Sequence, residues 1–379
     1  MSGHTVFAGV LAAFVGFASS FAVVLKGLTA MGASPAQAAS GLMVLSVAMG
    51  VCAIVLSLWR REPVSIAWST PGAALLASSA VPEGGFPAAV GAFLVSGGLI
   101  VLAGSWRPLG RAVAAIPPSL ANAMLAGVLL NLCLAPVRAV AALPLLTLPI
   151  VLVWAVVWRF ARLYALPAAL LALLALLAVQ GGEGRAVEWL AGPVLVMPVW
   201  STAAAVGLGL PLFLVTMASQ NIPGMAVLSV NGYTPPSGPL FQVTGLFTLL
   251  AAPFGGHAVN LAAITAALCA GPDAHPDPAR RYWAAVSAGA TYIVFGVLAG
   301  AATGLIAVSP PLLIEAIAGL ALLGALGGAL MGAVREAEER EAALITFLVT
   351  ASGLSFSGIS GAFWGLLAGG ALRALTRWR

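Results

Sequence analysis

Charge is what this 379-residue chain has least of: Asp, Glu, Lys and Arg make up 7% of it, against about 25% in soluble domains. With 61% hydrophobic residues and a mean hydropathy of +1.08, a water-solvated fold is excluded and an integral membrane protein is implied. Cysteine is also scarce. Cys52, Cys133 and Cys269 each fall in an apolar run with no CxxC, which excludes a disulfide framework and leaves small buried residues. The three histidines stand at no ligand spacing, so neither a metal site nor any other cofactor is expected. Carboxylates are not paired within an apolar run, and no Ser, His and Asp are available as a triad. A membrane-embedded enzyme therefore lacks its working groups. The pI near 9.6 comes from basic residues dispersed in short loops, which points to topology and not to nucleic acid. The first run, 6–25, has no basic n-region and reads as a retained helix.

Apolar runs bounded by charge, Pro and Gly give fourteen segments: 6–25, 36–58, 65–81, 86–104, 116–135, 140–158, 163–180, 201–219 continuing to 230, 238–253, 256–270, 281–306, 310–333, 341–354 and 356–374. With both termini cytoplasmic, thirteen of the sixteen Lys and Arg lie inside, and only Lys26, Arg138 and Arg185 fall outside. The positive-inside rule thus supports the count and the orientation. A polar linker at 180–188 divides the spans seven and seven, which forces the halves into opposite orientations. The expected fold is an all-α integral membrane protein of 14 transmembrane segments in two inverted repeats, 1–182 and 195–379.

Two spans at matched places are interrupted. Ser69 and Thr70 are helix-capping types and Pro71 suits a first turn, so a short helix starts inside the third span and ends before Pro82. The tenth span opens on Pro253-Phe254-Gly255-Gly256-His257-Ala258-Val259-Asn260. Half-helices in spans 3 and 10 would aim their N-termini at each other near the midplane. Free N–H donors and about half a positive charge at each end suit a carboxylate or other anion. Interrupted spans in equivalent places of two halves point to a transporter site; kinked helices without a ligand are the plainer reading.

The first span of each half adds polar groups: Ser19 and Ser20 lie mid-span in one, and in the other 216–224, with Gln220 and Asn221 before Pro223, is expected to interrupt the eighth span. Such groups serve either a cavity or hydrogen bonds between helices. Phe17, Phe21, Trp68 and Phe254 can wall a ring or simply pack. His257 is expected at the start of the second half-helix. There the positive helix end works against an imidazolium and a bound carboxylate works for it; a neutral His donating to a carbonyl is the alternative. Glu315, the one acidic residue well within an apolar run, is a second protonation candidate or an interfacially solvated group. The Gly and Ala of 324–328 are read as close-packing residues.

Pro63-Val64-Ser65-Ile66-Ala67-Trp68-Ser69-Thr70-Pro71-Gly72-Ala73, Met217-Ala218-Ser219-Gln220-Asn221-Ile222-Pro223-Gly224 and 252–264 resemble the benzoate:proton symporter family of bacterial inner membranes, and the resemblance runs over nearly the whole chain. That family is distantly similar to nucleobase and sulfate transporters. The resemblance implies a core domain of 1–110 plus 201–306 and a gate domain of 111–182 plus 307–379. Nucleobase relatives commonly carry carboxylates in spans eight and ten. This chain has Gln220, Asn221, His257 and Asn260 there and no Asp or Glu, a departure that suits an anionic substrate.

The expectation is proton-coupled uptake of benzoate or a similar aromatic monocarboxylate across the bacterial cytoplasmic membrane. Ser69, Thr70, Gly256 and His257 are placed near the carboxylate, with Gln220, Asn221 and Asn260 as supporting donors and Ser19, Ser20 and Trp68 completing the site. His257 and Glu315 are the proton-coupling candidates. Exchange of another small anion, such as sulfate or bicarbonate, is the rival. The oligomeric state, a homodimer included, is left open.

Overall fold

The computed structural model describes residues 2–179, 189–262, 264–356 and 359–377, and these are mostly helical. The linker expected at 180–188, with Arg185, lies outside the described residues. Before it come α1 (Gly3–Ala30), α2 (Pro35–Arg60), strand β1 (Ile66–Trp68), α3 (Thr70–Ser78), α4 (Gly85–Ser105), α5 (Arg107–Ala114), α6 (Pro118–Cys133), α7 (Ala135–Ala142), α8 (Pro144–Phe160) and α9 (Ala165–Val179). After it come α10 (Thr202–Ala204), α11 (Leu210–Thr216), α12 (Ile222–Val230), α13 (Ser237–Ala251), β2 (Val259–Leu261), α14 (Ile264–Ala270), α15 (Tyr282–Val297), α16 (Ala299–Val308), α17 (Pro311–Ala333), α18 (Arg340–Ala351), the hairpin strands β3 (Ser355–Phe356) and β4 (Ile359–Ser360), and α19 (Gly361–Arg377). Among the described residues, seven single or joined helices are long and apolar enough to cross a membrane. The pair α15 and α16, bent by 56°, makes an eighth. The chain is a multi-pass membrane protein.

Local chemistry sets the helix starts. Proline stands in the first turn of α2, α3, α6, α8 and α17, where its missing N–H leaves no bond unmade. Ser34 and Gln37 close a capping box on α2. Ser69 caps α3, its Oγ accepting from the Gly72 N–H at 3.0 Å. The nine residues of α3 span about 13 Å at ~1.5 Å per residue, less than half of an apolar layer about 30 Å thick.

Backbone outside a helix must find partners within a membrane, and here the two interrupted spans supply each other's. Strands β1 and β2 pair antiparallel, with Ile66 opposite Leu261, Ala67 opposite Asn260 and Trp68 opposite Val259. The Ser69 N–H donates to the Ala258 carbonyl at 3.0 Å and the Ala262 N–H to the Ser65 carbonyl at 2.9 Å. Each strand then runs toward a short helix, α3 or α14.

Two local expectations change. The second half-helix does not begin at Gly256 and His257. Gly255 turns the chain with φ +91°, residues 259–261 give their backbone to β1, and the helix forms only from Ile264. The eighth span is not broken at 216–224. It continues from Thr202 to Val230 through two π-helical stretches, Ala205–Gly209 and Met217–Asn221. The second precedes Pro223, which cannot donate into an α-helical turn, and the wider turn takes up the mismatch.

Helix α2 packs on α15, α4 on α13, and α1 on both α15 and α3; α6 packs on α17 and α18, α18 on α19, and α8 on α9. Small residues permit the closest approaches. A Cβ at Gly50 would stand 2.5 Å from the Gly289 carbonyl oxygen, and one at Gly289 would stand 2.6 Å from that of Gly50, so α2 and α15 meet backbone to backbone.

Candidate functional site

A cavity of about 200 Å³ opens where the paired strands turn into α3. Ser19 and Ser20 of α1, Trp68 of β1, Thr70 and Pro71 of α3, and Gln220 of the π-helical turn form much of its wall. Thr265 of α14 and Tyr292 of α15 complete the polar part, and α17 closes it with Ala321, Leu322, Gly324 and Ala325. None of the described lining residues is charged. A cavity of roughly 150 Å³ lined by apolar side chains holds benzene, so this one has room for a single aromatic ring and a small polar group.

The polar wall is held in place from behind. The buried Trp68 indole N–H donates to Ser20 Oγ at 2.8 Å, and that hydroxyl donates to the Gly16 carbonyl at 2.8 Å. Ser19 donates to the same carbonyl at 3.1 Å. The Phe17 ring lies 5.4 Å from Trp68, 5.7 Å from Phe21 and 5.1 Å from Phe295, centroid to centroid, and this aromatic row stiffens the Trp68 side of the cavity. Phe254 lies in the turn after α13 and does not line the cavity.

The other candidates sit one layer out, binding the framework together. Ser69 Oγ caps α3 and accepts from Thr216 Oγ1 at 2.9 Å. His257 is fully buried, and its Nε2–H donates to the Ser69 carbonyl at 2.9 Å. Asn221 Oδ1 accepts from the Leu261 N–H at 2.9 Å, which ties the π-helical turn to β2. Asn260 Nδ2 donates to the Leu261 carbonyl at 2.8 Å. Gly256 donates its N–H to the Ala251 carbonyl at 3.0 Å. The structure therefore brings Ser19, Ser20, Trp68, Thr70 and Gln220 to the cavity wall and leaves Ser69, Asn221, Gly256, His257 and Asn260 behind it. Glu315 stands apart from both sets, ion-paired with Lys26 between α17 and α1.

Thr265 and Tyr292 were not among the sequence candidates. Tyr292 is buried within the apolar run 281–306, and a hydroxyl there was the available signal. Gly16 makes room for it: a Cβ at Gly16 would stand 2.3 Å from Tyr292 Oη. The 324–328 stretch also reads differently. A Cβ at Gly324, Gly327 or Gly328 would meet nothing within 4 Å, so these glycines do not mark close helix contact, and Gly324 borders open cavity.

A sequence model of the family described as benzoate membrane transport protein matches residues 1–375. Inner membrane protein YdcO of Escherichia coli K12 is 44% identical over 369 residues, covering 97% of this chain and 94% of that protein. The benzoate membrane transport protein of Acinetobacter baylyi is 34% identical over 364 residues, covering 96% and 92%. Among solved structures, the transmembrane domain of the cyanobacterial bicarbonate transporter BicA aligns with a TM-score of 0.66 at 16% identity over 97% of both chains. SLC26A9 aligns at 0.63 and 13% identity over 98% of this chain and 65% of its own. At those identities the two structures speak for the fold alone.

Proposed function

The chain belongs to the benzoate membrane transport protein family, one of transporters and not of enzymes, and on that premise we propose that it takes up benzoate or a similar aromatic monocarboxylate together with a proton. The observation that carries this reading is the ring-sized cavity at the start of α3, walled by Trp68, by hydroxyl-bearing residues and by Gln220. The helix terminus supplies donors and a partial positive charge. No described lining side chain supplies a full one, so a carboxylate that enters with a proton avoids much of the cost of burying an anion. Ser19, Ser20, Thr70 and Gln220 are the proposed substrate contacts and Trp68 the proposed ring wall. Ser69, Asn221, Gly256, His257 and Asn260 then act by holding β1, β2 and α3 in register.

The same reading takes the fold as fourteen spans in two inverted repeats. A core of 1–110 plus 201–306 carries the cavity past a gate of 111–182 plus 307–379, with both termini cytoplasmic. His257 and Glu315 are the candidate proton carriers, the first at Nδ1, since its Nε2–H is donated to the Ser69 carbonyl, and the second at the carboxylate paired with Lys26 between core and gate. The test is uptake of labelled benzoate by protein in liposomes, with unlabelled benzoate, sulfate and bicarbonate as competitors. Competition by benzoate alone supports the reading. Competition by sulfate or bicarbonate, with none by benzoate, transfers the cavity to inorganic anions.

A further inference from the structure

Beside the central cavity lies a second void of about 300 Å³, and Ser19, Ala321 and Gly324 line both. Its far wall is made by Trp154 and Trp158 of α8 and by Arg162 in the turn that follows. The two indoles stack with centroids 6.0 Å apart and planes 25° apart, and the Arg162 guanidinium lies 4.5 Å from the Trp158 ring centre. Among the described residues no carboxylate stands within ion-pair distance of Arg162. A guanidinium matches a carboxylate through two parallel N–H donors, and an indole face takes an aromatic ring. Trp and Arg at a membrane boundary ordinarily meet lipid headgroups. This group differs in that its void shares Ser19, Ala321 and Gly324 with the wall of the central cavity.

We propose that Trp154, Trp158 and Arg162 form a waiting site for aromatic carboxylates on the path that passes between Ser19 and Gly324 to the central cavity. The site rests on the transport reading above and adds to it where the substrate is held before or after the central cavity. Arg162 concentrates the anion at the mouth of the path, and the indoles select a ring over an inorganic ion.

The test is exchange of internal labelled benzoate for external benzoate in phosphatidylcholine liposomes, an assay that samples both faces. Arg162→Gln is expected to raise the half-saturating concentration at least about tenfold, the low end of what charge focusing supplies, with the maximal rate changed less than about twofold. Arg162→Lys recovers part of the loss. Unchanged half-saturation in Arg162→Gln, with wild-type exchange intact, overturns the waiting site alone. An effect present only when anionic lipid is added also overturns it and assigns Arg162 to headgroups. Wild-type protein that exchanges no benzoate refutes the transport reading, and the path is then tested separately. Since Cys52, Cys133 and Cys269 are buried, Ser19→Cys offers the accessible thiol for a sulfonate-bearing or an ammonium-bearing thiosulfonate. Arg162→Gln is expected to lower the anionic-to-cationic labelling ratio, and an unchanged ratio overturns the path.

Discussion

Filling the cavity at Gly324 separates substrate room from protein stability. The cavity holds about 200 Å³, roughly 50 Å³ more than a cavity that accepts benzene. Counting each added carbon at about the ~30 Å³ that a water molecule occupies in the liquid, alanine at this position takes roughly 30 Å³ and leucine, with four carbons, roughly 120 Å³. That margin is the room for the carboxylate, so Gly324→Ala takes part of it and Gly324→Leu exceeds it about twofold. Since nothing lies within 4 Å of a Cβ at this position, neither substitution meets protein at its first atom, and replacing a glycine inside α17 is expected to leave stability unchanged or raise it by up to about 1 kcal/mol. Substrate forced against the leucine meets an overpacking cost of about 1–3 kcal/mol, equivalent to about a 5- to 150-fold loss of affinity. The assay is the concentration dependence of labelled benzoate uptake, paired with a melting curve. Gly324→Leu with wild-type KM and an unchanged melt refutes the assignment of the cavity to the substrate.

Other substitutions probe the framework and the proton route. Ser20→Ala leaves the buried Trp68 indole N–H without its acceptor, so stability should fall by about 1–3 kcal/mol and KM should rise, whereas Ser20→Thr retains the hydroxyl; an unchanged melt and KM in Ser20→Ala contradict the Trp68 anchor. Asn221→Ala removes the acceptor of the Leu261 N–H and should also cost about 1–3 kcal/mol in denaturation experiments, more than Gln220→Ala, which should act mainly on transport. Glu315→Gln breaks a partly exposed ion pair with Lys26 and should change stability by less than about 1 kcal/mol. If Glu315 carries the proton, a pH gradient no longer raises benzoate accumulation in that variant; full gradient response there removes Glu315 from the route and leaves His257. His257→Ala should then abolish gradient-driven accumulation, and it should lower the melting point as well, because the fully buried imidazole bonds the first turn of α3.

Much of this architecture was legible because membrane burial writes strong rules into sequence. The apolar runs and the Ser69, Thr70, Pro71 helix start reappear as helices and as the capped start of α3. The matched breaks at 68–72 and 253–260 adjoin one antiparallel strand pair, Ile66–Trp68 with Val259–Leu261. What the sequence did not show was that pairing itself. It consumes the backbone of 259–261, delays the second short helix to Ile264 and puts His257 in the framework behind the cavity. Nor does a single chain reveal which polar residues face inward across helices distant in sequence. Ser69 and Thr70 are neighbours with opposite fates, one spent on capping and the other on the wall. Tyr292 escaped notice and Gly324 was read as a packing residue for the same reason: an isolated hydroxyl and a glycine in apolar runs carry no spacing signal, and only the assembled bundle shows them bordering the same space.

The central claim is coupled movement of an aromatic carboxylate with a proton. Its most direct test is accumulation of labelled benzoate in liposomes carrying the protein, under an imposed inward proton gradient, with protein-free liposomes measuring passive passage of the neutral acid. The account predicts protein-dependent accumulation above the passive level that collapses when a protonophore is added. Protein-dependent uptake that is unaffected by the gradient and by the protonophore would contradict it.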